Sequence, residues 1–234
     1  MRVLAIAAHP DDIEFHCAGT LLKCKQRGDE VYVCTVNNGS MGHAVIMPDE
    51  LSKIRVAEAK RSADLAGFHY LTADIGDLQS YYQSREHKDI MVDIIRQANP
   101  DLIFIQKPND YMCDHIAASH LAFDASFMAS CPHYETNYPA ISTIAPIYYM
   151  GTASEVGFNP TEYVDITDVY EKKIEMLMCH QSQEEWLRVH DKVDYTNECR
   201  ILAEFRGMQC KVKYAEAFEP CLVAHRIVTK RLLP

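Results

Sequence analysis

A histidine and two carboxylates stand together near the start of the chain, in His9-Pro10-Asp11-Asp12. Side chains of these types hold divalent metals and move protons. Two adjacent carboxylates repel one another, and a cation beside them relieves the repulsion. One aspartate could instead be a helix N-cap, worth roughly 0.5–2 kcal/mol. Capping accounts for one of the pair, not for its neighbour or for the histidine, so a metal or acid–base site is the expectation. A second cluster, Asp110-Tyr111-Met112-Cys113-Asp114-His115, supplies another histidine. A lone histidine is commonly a packing or capping residue. Beside His9 and Asp12, however, His115 would complete a His/Asp/His set with positions left open, as a catalytic zinc ion requires.

These residues need a scaffold, and the sequence predicts one. Leu4-Ala5-Ile6-Ala7-Ala8 is a short apolar run of the kind found in strands covered on both faces. Pro10 lacks an N–H and biases His9 away from helix, so the strand ends there. Strands are expected over 2–7, 30–36, 101–106, 147–150 and 162–165. Helices are expected over 14–26, 48–67, 88–98, 117–128 and 191–208, with another capped by Thr167 or Asp168 and running to about 180. This alternation predicts a single α/β domain over 1–234, three-layered and Rossmann-like, with a mainly parallel β-sheet. Sheets of this kind bind ligands at the carboxyl ends of their strands, where both clusters fall. The polar segment 37–43, ending in His43, would lie along the same edge. No GxGxxG fingerprint follows the first strand, which disfavours a dinucleotide fold.

Composition narrows the function further. A net charge of −10 and the lack of a basic stripe argue against nucleic acid as a partner. No apolar run approaches the ~20 residues of a membrane helix, so no membrane partner is expected. With a strand starting at residue 2, no signal peptide is expected either. The nine cysteines are odd in number and scattered, with no CxxC pair. Free thiols in a reducing cytoplasm are the natural reading, and a cytoplasmic location follows as an expectation.

The chain also resembles a known family. AHPDD (8–12), followed by AGTLLK (18–23), looks like the opening of the zinc-dependent N-acetylglucosaminyl de-N-acetylases of the PIG-L/LmbE type. RVAEAKRSADLAGF (55–68), NPDLIFIQKPNDYMCDH (99–115), YVDIT (163–167), CHQSQ (179–183) and YAEAF (214–218) resemble later blocks of that family. The resemblance implies that His9, Asp12 and His115 bind Zn²⁺, a set that also accepts Fe²⁺, Co²⁺ or Mn²⁺, and that Asp11 is the general base. It implies hydrolysis of the N-acetyl group of an N-acetylglucosamine-like sugar or conjugate, so the partner is a small amino sugar. Arg55 matches the family arginine that reaches the sugar. Asp77 and Asp110 are candidates for its hydroxyls, and Asp114 is a further candidate contact. Family members often assemble, so the resemblance implies a homo-oligomer.

One position departs from the pattern. The family places a histidine three residues before its second zinc histidine, where it helps stabilise the oxyanion; here Met112 stands. A thioether donates no hydrogen bond, and losing one such donor typically costs about 10²–10³ in rate. Tyr111 and His43 are candidate substitutes. Two alternatives follow from Met112: a non-catalytic metal- or sugar-binding relative, or a deacylase of a non-sugar amide. A metal-free nucleotide-binding α/β protein is a third, excluded by bound metal. Glu14 is expected to be a helix-start carboxylate and His16 a structural residue. Trp186 and the tyrosines of 134–149 are open between stacking on a sugar and packing.

Overall fold

The computed structural model describes residues 1–151 and 155–234. Seven strands form one sheet: β1 (Arg2–Ala7), β2 (Glu30–Asn37), β3 (His69–Ile75), β4 (Leu102–Gln106), β5 (Ile147–Met150), β6 (Glu162–Asp165) and β7 (Ala215–Pro220), in the order β3-β2-β1-β4-β5-β7-β6. Strands β1 to β5 pair in parallel, while β7 runs antiparallel to both β5 and β6. The mainly parallel α/β sheet is thus as the sequence predicts.

The side chains of β1 alternate between two cores. Val3, Ala5 and Ala7 join one cluster; Leu4, Ile6 and Ala8 join the other. Helices α4 (Arg85–Ala98) and α5 (Cys113–Met128) cover the second face through Met91, Ile95, Leu121 and Ala125. The first face carries α1 (Asp12–His16), α2 (Ala18–Gln26), α3 (Pro48–Ala66), α6 (Tyr170–Leu177) and α8 (Tyr195–Cys210). A short helix α7 (Gln181–Trp186) runs into a π-helical stretch, Leu187–Asp191. Among the described residues no helix is long and apolar enough to cross a membrane, and all nine cysteines are free thiols.

Several elements differ from expectation, each for a local reason. The helix expected over 14–26 is two helices, broken at Cys17 with φ −143° and ψ 2°. The break aims the amino end of α2 at a buried carboxylate: Glu216 accepts hydrogen bonds from the Gly19 N–H at 2.9 Å and the Thr20 N–H at 2.6 Å. Lys173 completes the junction by donating to Glu216 at 2.6 Å and to the Phe15 carbonyl at 2.8 Å. Helix α4 begins three residues early, because Ser84 Oγ accepts from the His87 N–H. Neither Thr167 nor Asp168 caps α6, whose N-cap position is Val169. Strands β3 and β7 are additions to the expected set: β3 is only partly buried, and β7 carries glutamates at both Glu216 and Glu219.

Candidate active site

Sheet order reverses between β1 and β4, so the segments leaving their carboxyl ends diverge and open a crevice between them. His9, Asp11 and Asp12 follow β1, and Asp110 to His115 lead from β4 into α5. Asp12 Oδ2 accepts from the His9 N–H at 2.7 Å, which folds the segment back on itself. That same oxygen lies 3.7 Å from His9 Nδ1 and 3.5 Å from His115 Nε2. The three ligand atoms lie within 4.8 Å of one another. Donors about 2.0–2.2 Å from a tetrahedral ion stand roughly 3.3–3.6 Å apart, so the set fits a divalent metal such as zinc.

The outer nitrogens of both histidines meet carboxylates. His115 Nδ1 is 2.9 Å from Asp110 Oδ2, and His9 Nε2 is 3.3 Å from Asp114 Oδ2. Such partners fix the tautomer and ring orientation of a metal-binding imidazole. The Asp110 side chain is fully buried, also accepts from the Met112 N–H and is absent from the cavity lining, so it holds His115 in place. Asp114 is likewise occupied, accepting from the Leu78 N–H at 2.8 Å. Asp77 and Asp114 converge with His9 as a second donor group. Both Asp77 oxygens already take backbone N–H groups, from Gly39 and Met41, so Asp77 serves to shape the loop after β2.

The charge balance follows from burial and these partners. Burial disfavours a charged His9, yet hydrogen bonds to Asp114 and Asp12 outweigh it and raise its pKa to about 10. Burial acts on Asp12 in the opposite sense and is overcome by His115 and His9, which hold its carboxyl well below the usual range. A buried, acid-rich donor set of this kind is short of the positive charge that a divalent ion supplies.

Asp11 is different. It makes no capping hydrogen bond, and its backbone sits at φ 108° and ψ −26°, a conformation rare outside glycine. Burial, reinforced by Asp12 and opposed by Arg55, pushes its carboxyl up to about 6. Arg55, matched by the resemblance to an arginine that reaches the sugar, is buried: its Nη2 donates to the Pro10 carbonyl at 2.7 Å and lies 3.4 Å from Asp11 Oδ1. Gly39, at φ 78°, leaves it the room, since a Cβ there would fall 2.5 Å from Arg55 Cδ. His180 is fully buried, with Nε2 3.3 Å from Glu14 Oε2. Glu14 also accepts from Ser62, so it is a buried anchor as well as a helix-start carboxylate.

Around this centre lies a cavity of about 510 Å³, lined by His9, Asp11, Asp12, Arg55, Asp114 and His115, with Tyr111, Met112, Trp186 and Tyr195 among its further walls. His43 is not part of the lining; its Nδ1 accepts from the Val45 and Ile46 N–H groups, which ties the ring to the loop. His16 does line the cavity, while its Nδ1 faces Glu155 at 3.6 Å and burial lowers its pKa to about 4. Trp186 reaches the cavity stacked on His190 at 3.9 Å. The tyrosines of 134–149 are absent from the lining and serve packing; Tyr134, for instance, donates to Asp89. Sequence reading missed Tyr195, which lines the cavity and whose phenol pKa is pushed up by burial and by the nearby charges of Asp11 and Asp12. An aromatic residue just after the helix-capping Asp194 was the only sequence cue.

Fold and site together define a parallel α/β protein with a His/Asp/His donor set at its switch point. The GlcNAc-PI de-N-acetylase (PIG-L) family matches residues 4–126, and the chain belongs to that family. It is 30% identical over 188 residues to the diacetylchitobiose deacetylase of Thermococcus kodakarensis, covering 78% of this chain and 70% of the relative. The solved N,N'-diacetylchitobiose deacetylase of Pyrococcus horikoshii superposes with a TM-score of 0.81 at 27% identity, over 93% of this chain and 82% of that one. The 4-oxalmesaconate hydratase of Pseudomonas putida is 25% identical over 221 residues, covering 89% of this chain and 80% of the relative.

Proposed function

We propose that this protein is a divalent-metal-dependent N-deacetylase of an N-acetylglucosamine-like sugar or sugar conjugate, with His9, Asp12 and His115 holding the ion, zinc by first choice. When bound, such an ion polarises the amide carbonyl and acidifies the attacking water. The observation that carries the reading is Asp11: a buried carboxylate beside the donor set but outside it, with a pKa pushed up to about 6. A base poised near the working pH takes a water's proton efficiently and returns it to a leaving amine. Asp12, tied to the His9 N–H, leaves Asp11 free for that task. Arg55, bonded to the Pro10 carbonyl and facing Asp11, fixes where the base points.

The cavity wall supports a sugar. Asp11, Asp12, Asp77, Asp114, Asp191 and Glu198 line it against one permanent cation, Arg55. Of these, Asp191 and Glu198 lie outside the metal set and its supports; carboxylates accept hydrogen bonds from hydroxyls, and Trp186 offers an aromatic face. A second reading, addition of water to a carbon–carbon double bond, draws support from Met112 and from the hydratase relative. The acidic wall counts against it, because carboxylates repel a polycarboxylate substrate.

Metal analysis of the purified protein, combined with acetate release from N-acetylglucosamine derivatives including diacetylchitobiose, tests the proposal. Near-stoichiometric metal is expected, with acetate release abolished in Asp11→Asn at unchanged metal content; His115→Ala should lose the metal. A protein that takes up no metal after zinc reconstitution refutes the reading, as does a fully active Asp11→Asn. Metal without acetate, but with hydration of an unsaturated dicarboxylate, would favour the second reading.

A further inference from the structure

The segment after β7 turns back along the start of β5. The Cys221 N–H donates to the Ile147 carbonyl at 2.9 Å. The Arg226 N–H then closes a turn on the Val223 carbonyl at 3.1 Å, with His225 left-handed at φ 68°. This turn drops the Arg226 side chain against the end of α5. Its Nη1 donates to the Ala145 carbonyl at 2.6 Å, its Nη2 to Ser126 Oγ at 2.7 Å, and its guanidinium lies 5.0 Å from the Phe123 ring. Those contacts use two of the five N–H donors of an arginine; the other three have no partner among the described residues.

Arg226 is 5% exposed, yet among the described residues it forms no ion pair with a carboxylate. Burial lowers its pKa, and the groups that raise it are the Cys221 thiol and the Tyr149 phenol, both uncharged at neutral pH. A buried charge without a counter-charge is costly to keep. Arg226 also walls a cavity of about 230 Å³. Two further cations line it, Lys230 and Arg231, against a single carboxylate, Glu162. Arg231 is committed to Glu162 at 2.7 Å, whereas Lys230 is exposed and forms no ion pair among the described residues. A surplus of positive charge is thus gathered at one point of a chain whose net charge is −10. The other walls are mainly apolar, with Pro146 and Ile147 inside and the exposed Leu222 and Ile227 at the lip.

We propose that this cavity is a second ligand site, separate from the catalytic crevice, that takes a small anion with an apolar body: a carboxylate or a phosphate monoester whose charge meets Arg226 and Lys230. The cavity is smaller than the roughly 300–1,000 Å³ of drug-sized sites, so its occupant is about one ring or a short chain in size. Ile147 and Tyr148 begin β5, and Pro220 ends the antiparallel β7. The cavity therefore opens at the edge of the sheet opposite His9, Asp12 and His115. An anion there supplies the counter-charge that Arg226 lacks, and its apolar body covers the Ile147 and Ile227 walls. The site stands whatever reaction the catalytic crevice performs.

Titration calorimetry with benzoate, phenyl phosphate and uncharged benzyl alcohol tests this on the wild type and on His115→Ala, in which the catalytic donor set is broken. One equivalent of at least one anion should bind both proteins alike, with a Kd of about 1 mM or tighter that loosens as salt is added. Benzoate alone would identify a carboxylate site, and phenyl phosphate alone a phosphate site. Benzyl alcohol should bind about tenfold weaker or worse. Arg226→Gln should weaken the anion by about 10–100-fold. Because Arg226 also ties Ala145 to Ser126, the exposed Lys230→Glu is the second variant; it should weaken binding about threefold or more at an unchanged melting temperature. Benzyl alcohol binding as tightly as benzoate, an anion lost in His115→Ala, or a Kd unmoved by Lys230→Glu overturns the assignment, as does the failure of both anions to bind the wild type.

Discussion

Asp11 and Asp12 are neighbours of one residue type with opposite electrostatics, and the difference comes entirely from their partners. Asp12 faces two imidazoles and is held ionised, whereas Asp11 is buried beside Asp12 and its carboxyl is pushed up to about 6. A base must be unprotonated to accept the water's proton, so protonation of Asp11 below its pKa removes activity. In the metal-loaded protein kcat/KM should therefore rise about tenfold per pH unit on the acid side and level off at a pH no higher than about 6, because a bound cation favours the ionised carboxylate. A pH–rate profile checks this, and a flat profile across that range would remove Asp11 as the base. At this scale the sequence was readable where chemistry and spacing coincide: His9, Asp12 and His115 converge as their positions after two strands suggest. Asp110 and Asp114 were not, because a carboxylate in a loop shows its type and not its partner. Tyr195 was hidden for another reason: it comes from a distant helix, and only the folded chain brings it to the cavity wall beside Asp11.

The junction of α1, α2, α6 and β7 carries a buried ion pair that positions the segment leading away from the site. Lys173 and Glu216 side chains are 2% and 3% exposed, and Glu216 also takes two N–H groups at the start of α2. Removing one member of such a pair leaves an uncompensated buried charge. Lys173→Met should thus lower the unfolding free energy by about 3–5 kcal/mol in urea titrations. A loss below about 1 kcal/mol would show that water or another cation compensates Glu216. This junction also explains which elements were legible. The apolar strands β1, β2 and β4 announce themselves by composition. β7 does not, since its buried glutamate makes sense only beside Lys173, and the break at Cys17 follows from the same contact.

Across the whole molecule, one parallel sheet brings the segments after β1, β2 and β4 to a single edge, with the reversal of strand order between β1 and β4 setting the crevice. The metal would join segments from both sides of that reversal, His9 and Asp12 from one and His115 from the other. Binding therefore stabilises the native fold at its seam. At an ion concentration about 100 times Kd the gain is about 2.7 kcal/mol, which for a chain of this size corresponds to roughly 5–11 °C in melting temperature. Chelation should lower the melting temperature of the wild type by that amount and leave His115→Ala unmoved. Differential scanning calorimetry measures both, and equal shifts in the two proteins would place the ion elsewhere. The sheet order itself was beyond the sequence, because a parallel α/β alternation fits several strand orders and only side-chain packing selects among them.

The left-handed backbone of Asp11, at φ 108°, sets stability and chemistry against each other at one position. A side chain there costs of order 1–3 kcal/mol that glycine would not. Random drift toward a sturdier protein would favour the glycine, and that same change would delete the proposed base. An aspartate retained at such an angle is a standing charge on the fold, and the natural place to look for inactive descendants of this chain is among those that have relaxed it.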